Sequence, residues 1–215
     1  MGKKSALVLG STGLIGSEVL ALCLESETYD RVIAPVRRPL SIHHEKLTEK
    51  VIDFDMPPWE DLFPVDHVYC CLGTTIKIAG SKANFRKVDH DYPLAFGGAA
   101  KKWQSSVFSV ITATGSKAES KIFYNRVKGE LETNLKLLAL NSTLIFRPSL
   151  LLGDRMDTRS GEKIGSRIAK LTSWMTPKSV RAIPAKTVAK AMLSKTQSDM
   201  RGFNIISNKT LHSFG

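Results

Sequence analysis

The chain has 215 residues, of which 42% are hydrophobic and 24% charged, and this balance predicts one globular domain over residues 1–215 with a full core. No run of about 18 uncharged apolar residues is present, so a membrane-spanning helix is not expected. The formal net charge of +11 favours binding of phosphate groups, either in a nucleotide cofactor or in nucleic acid.

The first residues and the cysteines bear on the cellular compartment. The chain begins MGKKSALVLG, lacks a small-residue cleavage site, and has Ala6 where N-myristoylation requires serine or threonine. Cys23, Cys70 and Cys71 are odd in number and lack metal-ligand spacing, and the histidines form no paired motif. We therefore expect a cytoplasmic protein with free thiols and no metal site.

Short apolar runs alternate with helical patterns along most of the chain. The strand-like runs cover residues 6–10, 31–38, 50–55, 67–73, 107–113, 142–153 and 202–207. The helical patterns cover residues 14–25, 85–103, 125–141 and 184–196. Short continuous apolar runs are typical of strands that are covered on both faces. Their alternation with helices predicts an α/β fold with a doubly wound, mostly parallel sheet.

The pattern changes after about Gly153. The following residues are basic and irregular until the helix predicted at 184–196, which begins at a proline. We expect this C-terminal region to form a small cap on the substrate side of the same domain, in which residues 154–184 shape the substrate pocket.

A glycine-rich loop follows the first predicted strand. The sequence VLGSTGLIG lies between a strand and a helix, where glycines allow a tight turn and the close approach of a pyrophosphate. The helix N-terminus then presents free N–H groups to the phosphates. A tight turn without a ligand is the alternative. The residues expected to bind a dinucleotide are Gly10, Thr12, Gly13, Leu14, Ile15 and Gly16.

The end of the second predicted strand indicates which dinucleotide is bound. An NAD site usually has an acidic residue there to hold the ribose 2′-hydroxyl, whereas this chain has Arg37 and Arg38. Guanidinium groups pair well with a 2′-phosphate, so we predict NADP(H); the alternative is that both arginines are simply solvated. Asp53 and Phe54, at the end of the third predicted strand, are candidates for contact with the adenine.

A tyrosine and a lysine lie one helical turn apart after the fifth predicted strand. Tyr124 and Lys128 share a helix face. Because a neighbouring ammonium favours the phenolate of a tyrosine, such a pair is suited to acid/base catalysis. Thr112, Thr114 and Ser116 follow the strand end, and we expect Thr112 to hydrogen-bond the substrate oxygen. A chance pair of helix residues is the alternative.

Seven short segments of the chain together resemble one family. They read LGSTGLIG, VRR, CCLGTT, FRKVDHDY, FYNRVKGELE, FRPSLLLGDR and RSGE. They are similar to motifs of the atypical short-chain dehydrogenases/reductases, and within them of the Tat-interacting-protein-like oxidoreductases. The glycine spacing GxxGxxG also leans towards the short-chain dehydrogenases rather than towards the commonest dinucleotide fingerprint, GxGxxG.

This resemblance implies an NADP(H)-binding Rossmann-type fold with catalytic roles for Tyr124, Lys128 and the hydroxyl group of Thr112, where the family often has serine. It implies that Lys128 also holds a ribose hydroxyl of the cofactor. It further implies cofactor contacts around one segment at the end of the fourth predicted strand and one segment within the sixth. The residues of these segments are Leu72, Gly73, Thr74, Arg147, Pro148 and Ser149.

Three functions are compatible with these features. The first is an NADP(H)-dependent oxidoreductase that acts on a small carbonyl or alcohol substrate, as a monomer or a homodimer. The second is an NADP(H)-binding regulatory or sensor protein that has little turnover and acts on a protein partner. The third is nucleic-acid binding by the basic surface, a minor alternative because no nucleic-acid-binding motif is present.

Overall fold

A parallel sheet forms the centre of the structure. The computed structural model describes residues 2–62, 64–153 and 177–215. Its strands are β1 (Lys4–Leu9), β2 (Tyr29–Val36), β3 (Leu47–Val51), β4 (His67–Cys70), β5 (Val107–Ile111), β6 (Ser142–Arg147) and β9 (Gly202–Ser207). Two short strands, β7 (Leu151–Leu152) and β8 (Ile183–Pro184), form a separate parallel pair. Within the described residues the seven-stranded sheet has the order β3-β2-β1-β4-β5-β6-β9, with every neighbouring pair parallel.

Helices cover both faces of this sheet. They are α1 (Leu14–Glu25), α2 (Ile76–Ala79), α3 (Lys82–Arg86), α4 (Tyr92–Lys102), α5 (Phe123–Leu137), α6 (Ala185–Thr196) and α7 (Asn208–Leu211), followed by a 3-10 turn at His212–Phe214. Between α3 and α4 the chain forms a π-helical turn at Lys87–Asp91, so the helix predicted at 85–103 is built from three different helical pieces. This architecture confirms the predicted doubly wound α/β fold.

Alternate residues of the central strands face different helices. Ala6 and Val8 of β1 belong to a buried cluster with α1 and α6, whereas Leu7 and Leu9 belong to a second cluster with α4 and α5. Successive side chains of a strand point to opposite faces of the sheet. A strand that is covered on both faces is therefore apolar at every position, which explains the unbroken apolar runs in the sequence.

Three of the strands end at least three residues earlier than the sequence predicts. β3 ends at Val51 and β4 at Cys70. β6 ends at Arg147 because Pro148 has no N–H group to continue the hydrogen-bond ladder. The residues after these strand ends form loops at the carboxyl edge of the sheet, where ligands bind in open α/β folds.

The C-terminal part of the described chain returns to the same sheet. α6 begins at Ala185, directly after Pro184, and packs into the cluster that contains α1. β9 pairs with β6 along its whole length, as the apolar run at 202–207 predicts. Of the predicted pocket segment 154–184, residues 154–176 lie outside the described residues.

A buried polar network starts at the first residues of β2 and β4, at the end of the sheet opposite the loops just described. The Tyr29 hydroxyl group lies 2.7 Å from Nδ1 of His67 and 2.6 Å from the Tyr69 hydroxyl group. Burial, together with the nearby Lys4 ammonium, lowers the pKa of His67 to about 4, although Asp66 opposes the shift. His67 is therefore neutral in the folded protein at neutral pH.

We expect this neutral histidine to make the protein less stable in acid. In the unfolded chain His67 takes up a proton near the ordinary histidine pKa of about 6.5, and in the folded protein only near about 4. The unfolded state therefore binds more protons as the pH falls through this window, and the loss of stability between about pH 7.5 and about pH 4.5 is about 2.5 kcal/mol. Urea unfolding of the wild type and of His67→Asn at both pH values measures this contribution. An equal loss in the two proteins would contradict it.

Candidate functional site

The glycine-rich loop connects β1 to α1 and is closely packed. Gly10 has a φ of 73°, and a Cβ atom on it would lie 2.7 Å from the backbone oxygen of Cys71. α1 begins after Gly13, without a side-chain cap and without an acidic residue in its first turn. The first-turn amides therefore have no competing acceptor on this helix and are available to an anion.

An unpaired polar atom lies in the same loop. The hydroxyl group of Ser11 is buried and has no hydrogen-bonding partner among the residues that the structure describes. Buried polar groups nearly always have a partner. A loop with free amides, an unpaired hydroxyl and no side chain at three positions fits the pyrophosphate of a dinucleotide.

The two arginines lie beside this loop. Arg37 and Arg38 directly follow β2, which pairs with β1, so both strand ends open at neighbouring points of the carboxyl edge. Both side chains are exposed, and neither has an ion-pair or hydrogen-bond partner within the described part of the chain. Their position and free charge fit a phosphate group at the end of a dinucleotide that occupies the loop.

The residues after β3 differ from their predicted positions in a strand. Asp53 is exposed, and its carboxylate accepts a hydrogen bond of 2.8 Å from the backbone N–H of Asp55. The Phe54 ring is buried and lies 5.6 Å from the ring of Tyr92 and 6.0 Å from that of Phe96. The ring of Phe54 is therefore a core group, so that only the backbone at this position could meet an adenine.

Tyr124 and Lys128 lie together on α5. The Lys128 ammonium is buried, pairs with Oδ1 of Asp89 at 2.8 Å, and lies 3.4 Å from the backbone oxygen of Ile111 at the end of β5. Tyr124 is half-buried, and its ring lies 5.5 Å from the ring of Phe85. Burial acts to lower the pKa of Lys128, but attraction to Asp89 and Tyr124 outweighs it, and the pKa lies above its ordinary value. The lysine is therefore charged beside the tyrosine.

Sequence reasoning missed the partner of this lysine. Asp89 lies in the π-helical turn and is 1% exposed, and its Oδ2 accepts a hydrogen bond of 2.8 Å from the backbone N–H of Thr74. A Cβ atom on Gly73 would lie 3.4 Å from Oδ1 of Asp89 and 3.7 Å from Nζ of Lys128. Gly73 and Thr74 thus lie directly beside the ion pair. The available signal was that a buried lysine requires a carboxylate, which the segment FRKVDHDY offers.

Thr112 hydrogen-bonds to the carboxylate of a second ion pair, which Glu132 forms with Arg147. Its hydroxyl group is 3% exposed and donates a hydrogen bond of 2.7 Å to Oε1 of Glu132. Arg147 donates to the same oxygen from Nε at 3.0 Å, and its Nη2 donates to Oε2 of Glu132. In this structure the Thr112 proton is therefore donated to Glu132, and the expected hydrogen bond from Thr112 to a substrate oxygen stays a prediction. Glu132, four residues after Lys128, was also missed.

The remaining candidate residues lie in the loops near the Glu132–Arg147 ion pair. Thr114 is exposed and donates to the backbone oxygen of Arg147 at 3.1 Å, whereas Ser116 donates to the backbone oxygen of Ala113 at 2.7 Å. Pro148 is buried. The Ser149 hydroxyl group donates to the backbone oxygen of Val180 at 2.7 Å. Thr114 therefore has the most accessible of the hydroxyl groups that follow β5.

Among the described residues no group of three or more histidine, cysteine, aspartate or glutamate side chains is arranged to hold a metal ion. None of the described helices combines the length and the apolar character that crossing a membrane requires.

The fold is similar to that of several solved sugar-nucleotide enzymes. The UDP-N-acetylglucosamine 4-epimerase of Methanobrevibacter ruminantium matches 96% of this chain and 77% of its own, at 18% identity and a TM-score of 0.73. The enzyme WbmH of Bordetella bronchiseptica, solved with NAD+, matches 96% of this chain and 76% of its own, at 19% identity and a TM-score of 0.70. At this level of identity the likeness concerns the fold.

Two groups of proteins are similar in sequence, although no family model matches the chain. Protein HTATIP2 of Rattus norvegicus is 31% identical over 223 residues, which cover 100% of this chain and 90% of that protein. Protein FMP52 of Eremothecium gossypii is 35% identical over 159 residues, or 73% of this chain and 70% of that protein. The FMP52 proteins are named mitochondrial, so the expectation of a cytoplasmic protein is wrong on this comparison. The chain belongs to the family of the Tat-interacting protein HTATIP2 and FMP52, a group of atypical short-chain dehydrogenases/reductases.

Proposed function

We propose that the protein is an NADP(H)-dependent oxidoreductase that interconverts a carbonyl compound and an alcohol. The observation that carries this proposal is the position of Tyr124 beside a buried, charged Lys128 at the carboxyl edge of the sheet, where the glycine-rich loop also opens. Several solved proteins of similar fold contain NAD, which supports a nicotinamide dinucleotide as the cofactor class.

In this proposal each group has a defined task. Tyr124 donates its phenolic proton to the carbonyl oxygen as a hydride reaches the carbonyl carbon, and the product is the alcohol. Lys128 remains charged, which favours the phenolate that is left behind, and holds a ribose hydroxyl of the cofactor. When bound, NADPH supplies the hydride. The loop from Gly10 to Gly16 holds the pyrophosphate through its backbone amides. Further cofactor contacts are proposed for Leu72, Gly73, Thr74, Arg147 and Pro148.

Consumption of NADPH with a panel of ketones and aldehydes tests the activity. Turnover of at least one substrate, with the alcohol as product, is the expected result. Tight binding of NADPH without turnover of any member of the panel would count against an oxidoreductase.

Arg37 is proposed to select NADP(H) over NAD(H). Because its guanidinium group is free and exposed beside the loop, it can form charge-assisted hydrogen bonds to the 2′-phosphate, and loss of such bonds costs roughly 10- to 100-fold in affinity. We expect Arg37→Ala to weaken NADPH binding by this factor and to leave NADH binding unchanged, as measured by calorimetry.

A matched control for this experiment is Arg201→Ala. Arg201 is also exposed, but it precedes β9 and so lies at the amino edge of the sheet. This variant should bind both dinucleotides like the wild type. If Arg37→Ala weakened NADPH and NADH equally, Arg37 would not read the 2′-phosphate.

A second candidate function is NADP(H) sensing with little turnover. The observation that favours it is the Thr112 hydroxyl group, whose proton is already donated to Glu132 and so is not available to a substrate oxygen. Calorimetry and a turnover assay on the same sample separate the two functions. Sensing requires tight NADPH binding, absence of turnover, and capture of a protein partner that depends on the bound dinucleotide.

A further inference from the structure

One buried carboxylate connects two parts of the candidate site. Oδ1 of Asp89 pairs with the Lys128 ammonium, and Oδ2 accepts the backbone N–H of Thr74 in the loop after β4. We infer that Asp89 is a positioning residue that couples the proposed cofactor loop to Lys128, so that dinucleotide binding and the state of the lysine depend on each other. This inference rests on the proposed function.

The backbone explains how Asp89 reaches both groups. Asp89 is the middle residue of the π-helical turn between α3 and α4. A π-helical turn inserts an extra residue into a helix and changes the direction of the side chains that follow. Asp89 is 1% exposed although its neighbours include charged residues that reach solvent. The turn thus directs one carboxylate of a polar segment towards α5.

The contacts of Lys128 leave hydrogen-bond donors for a ligand. An ammonium group has three N–H donors. Within the described residues, the Lys128 ammonium forms an ion pair with Oδ1 of Asp89 at 2.8 Å and a hydrogen bond of 3.4 Å to the backbone oxygen of Ile111. These two contacts hold the ammonium between the π-helical turn and the end of β5. Asp89 therefore helps to fix the position from which Lys128 can hold a ribose hydroxyl.

The charge balance around Lys128 depends on the same carboxylate. The titratable groups that face the ammonium are Asp89 from the π-helical turn, Tyr124 from α5 and Cys70 from β4. Burial raises the pKa of the Cys70 thiol to about 12, so this group is uncharged at neutral pH. Without Asp89, the effect of burial on Lys128 would lose its largest opposing contribution, and the pKa of Lys128 would be lower. The lysine would then lose its proton at a lower pH.

The pH dependence of NADPH affinity tests this coupling without any turnover. By calorimetry from about pH 7 to about pH 9, the wild type should bind with nearly constant affinity, because its lysine stays charged. Asp89→Asn should bind at least about 10-fold more weakly, since the charged contact of Lys128 is misdirected, and its affinity should fall further as the pH rises. A role of Asp89 in packing alone would not produce this slope.

The matched control is Asp91→Asn. Asp91 belongs to the same π-helical turn, but its side chain is 52% exposed and pairs with His90 instead of Lys128. This variant should bind NADPH like the wild type at every pH.

A further variant covers the case that Asp89→Asn does not fold. Asp89→Glu keeps the charge, so it should fold and retain the flat pH profile of NADPH affinity. Because its side chain is longer, it should bind NADPH several-fold more weakly. Wild-type affinity and profile in Asp89→Asn, or wild-type affinity in Asp89→Glu, would overturn the coupling alone. If the wild type itself failed to bind NADPH, the proposed function and the coupling would both fall.

Discussion

Tyr124→Phe should abolish most of the carbonyl reduction, lowering kcat by roughly 100-fold or more, because the variant has no phenolic proton to donate. The phenylalanine ring keeps the contact with Phe85 that the tyrosine ring makes at 5.5 Å, so the fold and the affinity for NADPH should be retained. Stopped-flow measurement of NADPH oxidation with a substrate found in the ketone and aldehyde panel gives the ratio directly.

The control for this experiment is Tyr92→Phe. The Tyr92 hydroxyl group donates a hydrogen bond of 2.6 Å to Asp55, away from Lys128. Removing it deletes the same chemical group from a surface contact, so turnover should stay near that of the wild type. Turnover in Tyr124→Phe that matches this control would show that another group supplies the proton.

Gly16→Ala should remove NADPH binding and also destabilise the fold. A Cβ atom at this position would lie 2.0 Å from the backbone oxygen of Gly10 and 3.1 Å from the backbone nitrogen of Ser11. These are backbone atoms, so the loop itself must move, and overpacking of this kind costs about 3 kcal/mol. We expect a lower urea midpoint and no calorimetric signal with NADPH.

The same substitution at Gly98 provides the comparison. Gly98 lies in α4, and a Cβ atom on it would meet nothing within 4 Å. Because alanine favours a helix by up to about 1 kcal/mol over glycine, Gly98→Ala should be slightly more stable than the wild type and should bind NADPH normally. Normal NADPH binding by Gly16→Ala would mean that the dinucleotide does not occupy this loop.

The sheet was predictable because its sequence signal is local and repeated. Strands such as β1 and β5 are buried on both faces, so most of their residues contribute the same apolar signal. The strand ends were less predictable. Phe54 looks like a strand residue by composition, yet it lies in a loop and packs on α4, a contact between distant segments that no local pattern reports.

The candidate site was predictable only in part, for a related reason. Tyr124 and Lys128 are fixed by helical spacing, and the sequence therefore places them together. Asp89 and Lys128 are 39 positions apart, and their contact depends on a π-helical turn that replaces the regular helix expected at 85–103. The partner of Thr112 depends likewise on how α5 packs against β5 and β6.

The two ends of the sheet carry different groups. Tyr29 and His67 lie where β2 and β4 begin, and Tyr124, Lys128 and the glycine-rich loop lie where the strands end. Tyr69, the next-to-last residue of β4, hydrogen-bonds to Tyr29 and precedes Cys71, whose backbone oxygen packs on Gly10. The buried network therefore reaches from one end of the sheet to the wall of the glycine-rich loop, so His67, at its far end, is a better place than Tyr69 to engineer acid tolerance without changing the candidate site.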